Sequence, residues 1–225
     1  LNLVMLPTLS RRGVNASVSL LRRGFYPRGG GVIRARINPV KSLKPIKLVE
    51  GGGVKRVFGL SYSCRLPDHI ARRMASAASK LIESAGYPEP EIELEVLQPN
   101  HPKCSPDPGC GIVLVAELEN GALLGADALG EKGKPAERVG EEAAQLLVEQ
   151  LETGAAVDKH MGDQLIVYMS LAKGRSEIRV SELTLHTLTC IELSKLLLGV
   201  EFEVDGEEGG PVTISCEGVG LENPQ

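Results

Sequence analysis

Asn120-Gly121 stands between two apolar runs, residues 112–119 and 122–128. A tight hairpin turn of type I′ needs positive φ at both central residues, and Asn-Gly takes that conformation at little cost. The spacing therefore predicts an antiparallel hairpin, and the hairpin constrains what surrounds it, because its apolar faces need other layers to cover them. Two predicted helices flank it. The first carries Ile70, Met74, Ala77, Leu81 and Ala85 on one face, with Asp68 as its N-cap and Gly86 as its stop. The second, over 136–151, turns Val139, Ala143, Leu146 and Leu147 inward. Strand-period segments at 54–63 and 91–97 complete an α+β unit over residues 54–152. At about 100 residues it has ordinary domain size.

Charge marks the boundary of that unit. Residues 1–56 hold twelve Lys or Arg and the single acid Glu50, a net +11; the remainder carries −15, and the chain as a whole −4. A basic third joined to an acidic remainder is suited to a phosphate-rich partner, or to acids facing it across a domain contact. Residues 16–21 and 31–38 read as a strand pair with Val32, Arg34 and Arg36 on one face of the second strand. The connection RRGFYPRGGG ends in three glycines, which can bring backbone N–H groups to a phosphate or simply turn a hairpin. No G-K-[ST] follows, so it is not a Walker loop.

The chemistry concentrates between residues 160 and 190. A predicted helix begins near His160 and closes at Gly174, with Met161, Leu165 and Met169 toward the core. His160, Asp163 and Gln164 stand at i, i+3 and i+4, which suggests one shared polar face. A strand over 177–185 follows, and Thr189 with Glu192 reads as a capping box opening the next helix. His186 then lies where a strand meets a helix N-terminus, a place with free N–H groups for a phosphate. A neutral imidazole there can act as a nucleophile.

D-Q-L-I-V at 163–167 and T-L-H-T at 184–187 resemble the RNA 3′-terminal phosphate cyclase family. So do R-G-F-Y-P-R-G-G-G at 23–31 and G-V-G-L-E-N-P at 218–224. The resemblance implies an α+β fold. Its main domain repeats a unit of a four-stranded sheet plus two helices, here residues 1–53 and 153–225, and carries a smaller inserted α+β domain at 54–152. It implies that a leading unit of the family, with part of its nucleotide and metal site, lies outside this chain. His186 would be the catalytic nucleophile, attacking the α-phosphorus of ATP to form a covalent His–AMP. His160, Met161, Gly162, Asp163 and Gln164 would match the adenylate-binding segment, although the family often has Tyr where His160 stands. A divalent metal, Mg2+ or Mn2+, would help pyrophosphate leave, and no residue is assigned as its ligand. The partner would be an RNA 3′-phosphate end, closed by its 2′-hydroxyl into a 2′,3′-cyclic phosphate. The rival within the family is a non-catalytic, RNA-binding ribosome-assembly factor; that branch lacks the histidine of this motif.

His101, Cys104 and Cys110 share one loop, but a fourth ligand is missing for a structural zinc. Reduced thiols are expected for all five cysteines, and with no secretory signal or membrane-length apolar run a cytoplasmic protein is expected. The tail from Gly218 is expected to be loose.

Overall fold

The computed structural model describes residues 1–224. The chain begins with a short helix α1 (Met5–Ser10) and the ribbon β1 (Asn15–Arg22) and β2 (Val32–Asn38). After β3 (Lys47–Leu48) come β4 (Val54–Cys64), α2 (His69–Ser84), β5 (Glu91–Leu97), β6 (Gly109–Leu118), β7 (Leu123–Leu129) and α3 (Ala136–Glu152). The last third supplies α4 (Lys159–Leu171), β8 (Lys173–Val180), α5 (Leu185–Leu198), β9 (Phe202–Asp205) and β10 (Val212–Val219). The fold class is α+β, as expected.

Two four-stranded sheets result. One has the order β5-β4-β6-β7, with β5 parallel to β4 and the other pairs antiparallel. The other has the order β3-β8-β10-β9, with β3 parallel to β8. β1 and β2 pair only with each other. The predicted hairpin forms: Gly121 takes φ +82°, and the Ala122 N–H donates to Asn120 Oδ1 at 2.7 Å.

Helices α2 and α3 cover the first sheet through Met74, Ala78, Val139 and Leu147, while α4 covers the second through Leu165 and Met169 and α5 packs against α4. These side chains belong to one continuous apolar cluster that spans both sheets. Burial of that cluster is the dominant stabilising term. The fully buried stripe of α2 is Ala71, Met74, Ala78 and Ile82; of the predicted face, Met74 belongs to it, Ile70 and Leu81 pack half-buried at its edge, and Ala85 is exposed. Asp68 makes no side-chain cap; it accepts from Gln98 Nε2 at 3.3 Å instead.

Three further expectations are corrected. Helix α4 ends at Leu171, and Gly174 lies in β8 at φ +116°; extended Ala172 turns the chain straight into the strand. The strand stops at Val180, five residues short of its expected end, because Leu183 N–H turns away to the Gly210 carbonyl. The tail is pinned through residue 223: Gly220, Leu221 and Asn223 donate N–H groups to the carbonyls of Ala172, Leu171 and Lys41. Gln225 lies outside the described residues.

Candidate active site at the seam between two helices

Helix α4 starts on Asp158. Its Oδ1 accepts the N–H groups of His160 at 3.0 Å and Met161 at 2.8 Å, and its Oδ2 accepts the Gly125 N–H of β7 at 3.0 Å. One carboxylate thus caps α4 and ties it to the neighbouring sheet. Burial pushes this carboxyl's pKa up, and the three N–H donors pull against that shift. Gln150 completes the junction: its Nε2 donates to the Gly125 carbonyl, and its Oε1 accepts from Lys159 N–H and Ser181 Oγ. Sequence reading missed both residues. An Asp two positions before the first candidate site residue was a visible N-cap signal for the first; Gln150 gave none.

His160, Asp163 and Gln164 do not share one face. His160 and Gln164 are exposed and line a cleft of about 300 Å3 with Asp127, Asp158 and Met5. Met161 is 4% exposed and belongs to the core. Asp163 turns a different way, toward α5, where its charge adds to burial in raising the Cys190 thiol. Positions i+3 and i+4 differ by about 100° around a helix, enough to split them when each flank has its own neighbour. Asp163 Oδ1 is buried without a hydrogen-bond partner. An orphaned buried acceptor is costly, of order 1–3 kcal/mol, and therefore invites a donor.

Gly162 brings the two helices together. A Cβ on it would meet Val180 Cγ1 at 2.7 Å and Thr187 Oγ1 at 3.3 Å. Thr187 is fully buried, while His186, one residue earlier, is exposed. The expected start of this helix at Thr189 is corrected. Thr184 is the N-cap, its Oγ1 accepting the Thr187 N–H at 3.2 Å, and Thr189 Oγ1 donates to the Leu185 carbonyl. Glu192 pairs with Lys195 and makes no capping box. His186 therefore stands inside the first turn of α5, where the N–H groups of Leu185 and His186 have no intrahelical acceptor.

The seam so described contains an exposed imidazole, a helix N-terminus with free donors and an orphaned carboxylate oxygen, whereas His160 and Gln164 line a cleft on the other flank of α4 that includes no residue of α5. Among the described residues no three His, Cys, Asp or Glu side chains gather as a metal-ligand group. All five cysteines are free thiols, and His101 Nδ1 accepts from the Lys103 N–H, away from any ligand cluster.

The model for the RNA 3′-terminal phosphate cyclase (RTC) insert domain matches residues 49–152. A protein named RNA 3′-terminal phosphate cyclase from Desulfurococcus amylolyticus is 46% identical over 222 residues, 97% of this chain and 62% of that relative. One of the same name from Methanopyrus kandleri is 47% identical over 206 residues, 92% of this chain and 58% of the relative. A third, from Caldivirga maquilingensis, is 47% identical over 201 residues, covering 89% and 56%.

The chain belongs to the RNA 3′-terminal phosphate cyclase family. It spans about three fifths of the length of the curated relatives it matches. The match to the cyclase insert domain runs from just after β3 to the end of α3, and so takes in the whole β5-β4-β6-β7 sheet with its two helices. Residues 160–164 and 184–187 lie outside that match, on α4 and at the start of α5. No helix among the described residues is long and apolar enough to cross a membrane.

Proposed function

We propose that this chain carries the adenylating half of an ATP-dependent RNA 3′-terminal phosphate cyclase, with His186 as the nucleophile. The observation that carries this reading is the open imidazole of His186 in the first turn of α5, one residue from the Thr187–Gly162 contact. A nitrogen of His186 attacks the α-phosphorus of ATP. The new N–P bond forms as the bond to the bridging oxygen breaks, and pyrophosphate leaves. The free N–H groups of Leu185 and His186 face the charge that develops on the α-phosphate oxygens. Asp163 Oδ1 accepts a nucleotide hydroxyl, which satisfies an oxygen that has no partner in the protein. His160 and Gln164 border the nucleotide from the cleft.

The adenylate then passes to the terminal 3′-phosphate of an RNA. The neighbouring 2′-hydroxyl attacks that activated phosphorus, releases AMP and closes the 2′,3′-cyclic phosphate. Magnesium or manganese, when bound, would offset charge on the ATP polyphosphate and help pyrophosphate leave. Further nucleotide and metal contacts fall to the part of the longer relatives that this chain does not span. Five free thiols support placing the protein in the cytoplasm.

Incubation with α-labelled ATP tests the reading. An acid-labile, alkali-stable label on the wild-type chain, absent from His186→Asn, is expected. No label on a folded wild-type chain in the presence of Mg2+ or Mn2+ removes the adenylating role. RNA binding that persists without label would then favour the non-catalytic branch.

A further inference from the structure

The basic third of the chain divides in two when its partners are traced. One set is neutralised by acids of the insert: Arg23 pairs with Glu95, Arg28 with Asp107, and Lys55 and Arg56 with Glu117. Arg11 and Arg22 donate to the backbone carbonyls of Gly121 and Gly30. Arg34 and Arg36 have no ion pair or hydrogen bond from their side chains among the described residues. They occupy alternate positions of β2, a strand exposed along its whole length.

The register sets Arg36 opposite Ser17, Arg34 opposite Ser19, and Asn38 opposite Asn15. Directly paired residues of an antiparallel ribbon share a face. One face therefore holds two guanidiniums, two hydroxyls and two amides, with no carboxylate and no aromatic ring. The opposite face, with Ala16, Val18, Ala35 and Ile37, borders a cavity shared with Leu9 and Tyr168, which Asn15, Ser17 and Asn38 also line. Ser19 also lines a cleft of about 950 Å3 between β1 and β5, whose wall carries Arg23, Arg56 and Lys103 together with Glu91, Glu93 and Glu95.

We propose that this polar face binds the phosphodiester backbone of single-stranded RNA upstream of the reacting 3′ end. Arg34 and Arg36 take successive phosphates. The proposal rests on the cyclase reading above for the identity of the RNA end. Two strand rises separate the arginines by about 6.7 Å. That is too far for a fork on one phosphate and suits neighbouring ones. Hydroxyls and amides beside them can bond the sugars. The lack of an aromatic side chain removes a stacking platform for bases, so the face positions RNA without reading its sequence.

The test is fluorescence anisotropy with a labelled, 3′-phosphorylated oligouridylate long enough to cross the ribbon, titrated without ATP over a salt series. Arg34→Ala/Arg36→Ala is expected to raise Kd about tenfold at low salt and to reduce the salt slope by about 1.4, the share of two phosphates on a single strand. Arg34→Lys/Arg36→Lys is expected to keep the slope, because point charges suffice for phosphate. RNA-free adenylation and cyclisation of a dinucleotide 3′-phosphate are expected to be unchanged in both variants. An unchanged Kd and slope in the alanine variant overturns the proposal and leaves a solvated face. So does loss of self-association in sedimentation with RNA binding intact, which would make the ribbon a strand-pairing surface. If the wild-type chain takes no adenylate, the catalytic reading fails, while the ATP-free binding series still decides the RNA track.

Discussion

Thr187 Oγ1 lies 3.3 Å from the point where Gly162 would carry a Cβ. Glycine in a helix interior is worse than alanine by about 0.8–1 kcal/mol, so its presence in α4 reflects the close approach. Gly162→Ala would recover that propensity but drive a methyl into Val180 and Thr187, an overpacking cost of about 1–3 kcal/mol. Net destabilisation of about 1 kcal/mol in urea unfolding is expected. The larger effect should be on chemistry. Displacing the first turn of α5 moves His186 relative to α4, and a misplacement of about 1 Å costs about a hundredfold in rate. A variant that is both more stable and fully adenylated would show that the seam is not tight.

Thr184 and Thr189, on either side of His186, have different jobs. Thr184 Oγ1 accepts the Thr187 N–H as the N-cap, whereas Thr189 Oγ1 only donates back to the Leu185 carbonyl. Thr184→Ala should lower stability by about 1 kcal/mol, and Thr189→Ala by less than about 0.5 kcal/mol. Urea midpoints of the two variants, with unchanged m-values, measure the difference. The reverse order would return the helix start to Thr189.

That pair also shows where the sequence was legible. The Asn120-Gly121 hairpin and the extents of β1, β2 and α3 follow from local chemistry, since turn dipeptides and periodicity act within a few residues. The start of α5 did not follow, because T-L-H-T and T-C-I-E both satisfy capping patterns. Only the tertiary bond from Leu183 to Gly210 decides between them by ending the strand early. For the same reason Asp163 separated from His160 and Gln164. The helical spacing was right, but which flank meets α5 depends on packing that spacing does not encode. Gln150 was invisible, since its partners Gly125, Lys159 and Ser181 come from three separate elements.

Asp158 holds three backbone N–H groups inside the protein. Asp158→Ala would leave all three without an acceptor, at about 1–3 kcal/mol for each that water cannot reach. A loss of about 3 kcal/mol overall is expected, enough to threaten folding of the isolated chain. Asp158→Asn is the informative companion. Its Oδ1 can still cap His160 and Met161, while its amide faces the Gly125 N–H donor to donor. A smaller loss, accompanied by faster hydrogen exchange at Gly125 but not at Met161, is the expected pattern. Equal exchange at both sites in Asp158→Asn would mean that the carboxylate does not bridge α4 to β7.

Asp107 fastens the RGFYPRGGG loop to the insert. Its Oδ2 accepts the Arg28 backbone N–H at 2.8 Å, and its Oδ1 accepts Arg28 Nε at 2.8 Å. These bonds hold the Asp107 carboxyl below its ordinary value of 3.8. Because the folded value lies below the unfolded one, the native state binds fewer protons in acid. Stability from this group is therefore complete above about pH 4 and is lost as pH falls through the folded value. Arg28 is largely exposed, so the contribution is screened and should shrink in high salt. Asp107→Asn is expected to unfold more easily at neutral pH and to show a flatter acid limb than wild type. Exchange of the amides at 28–30 should rise in the variant at neutral pH to the level that wild type reaches only in acid. Parallel acid limbs for the two proteins would show that the clasp between Arg28 and Asp107 does not hold the loop in solution.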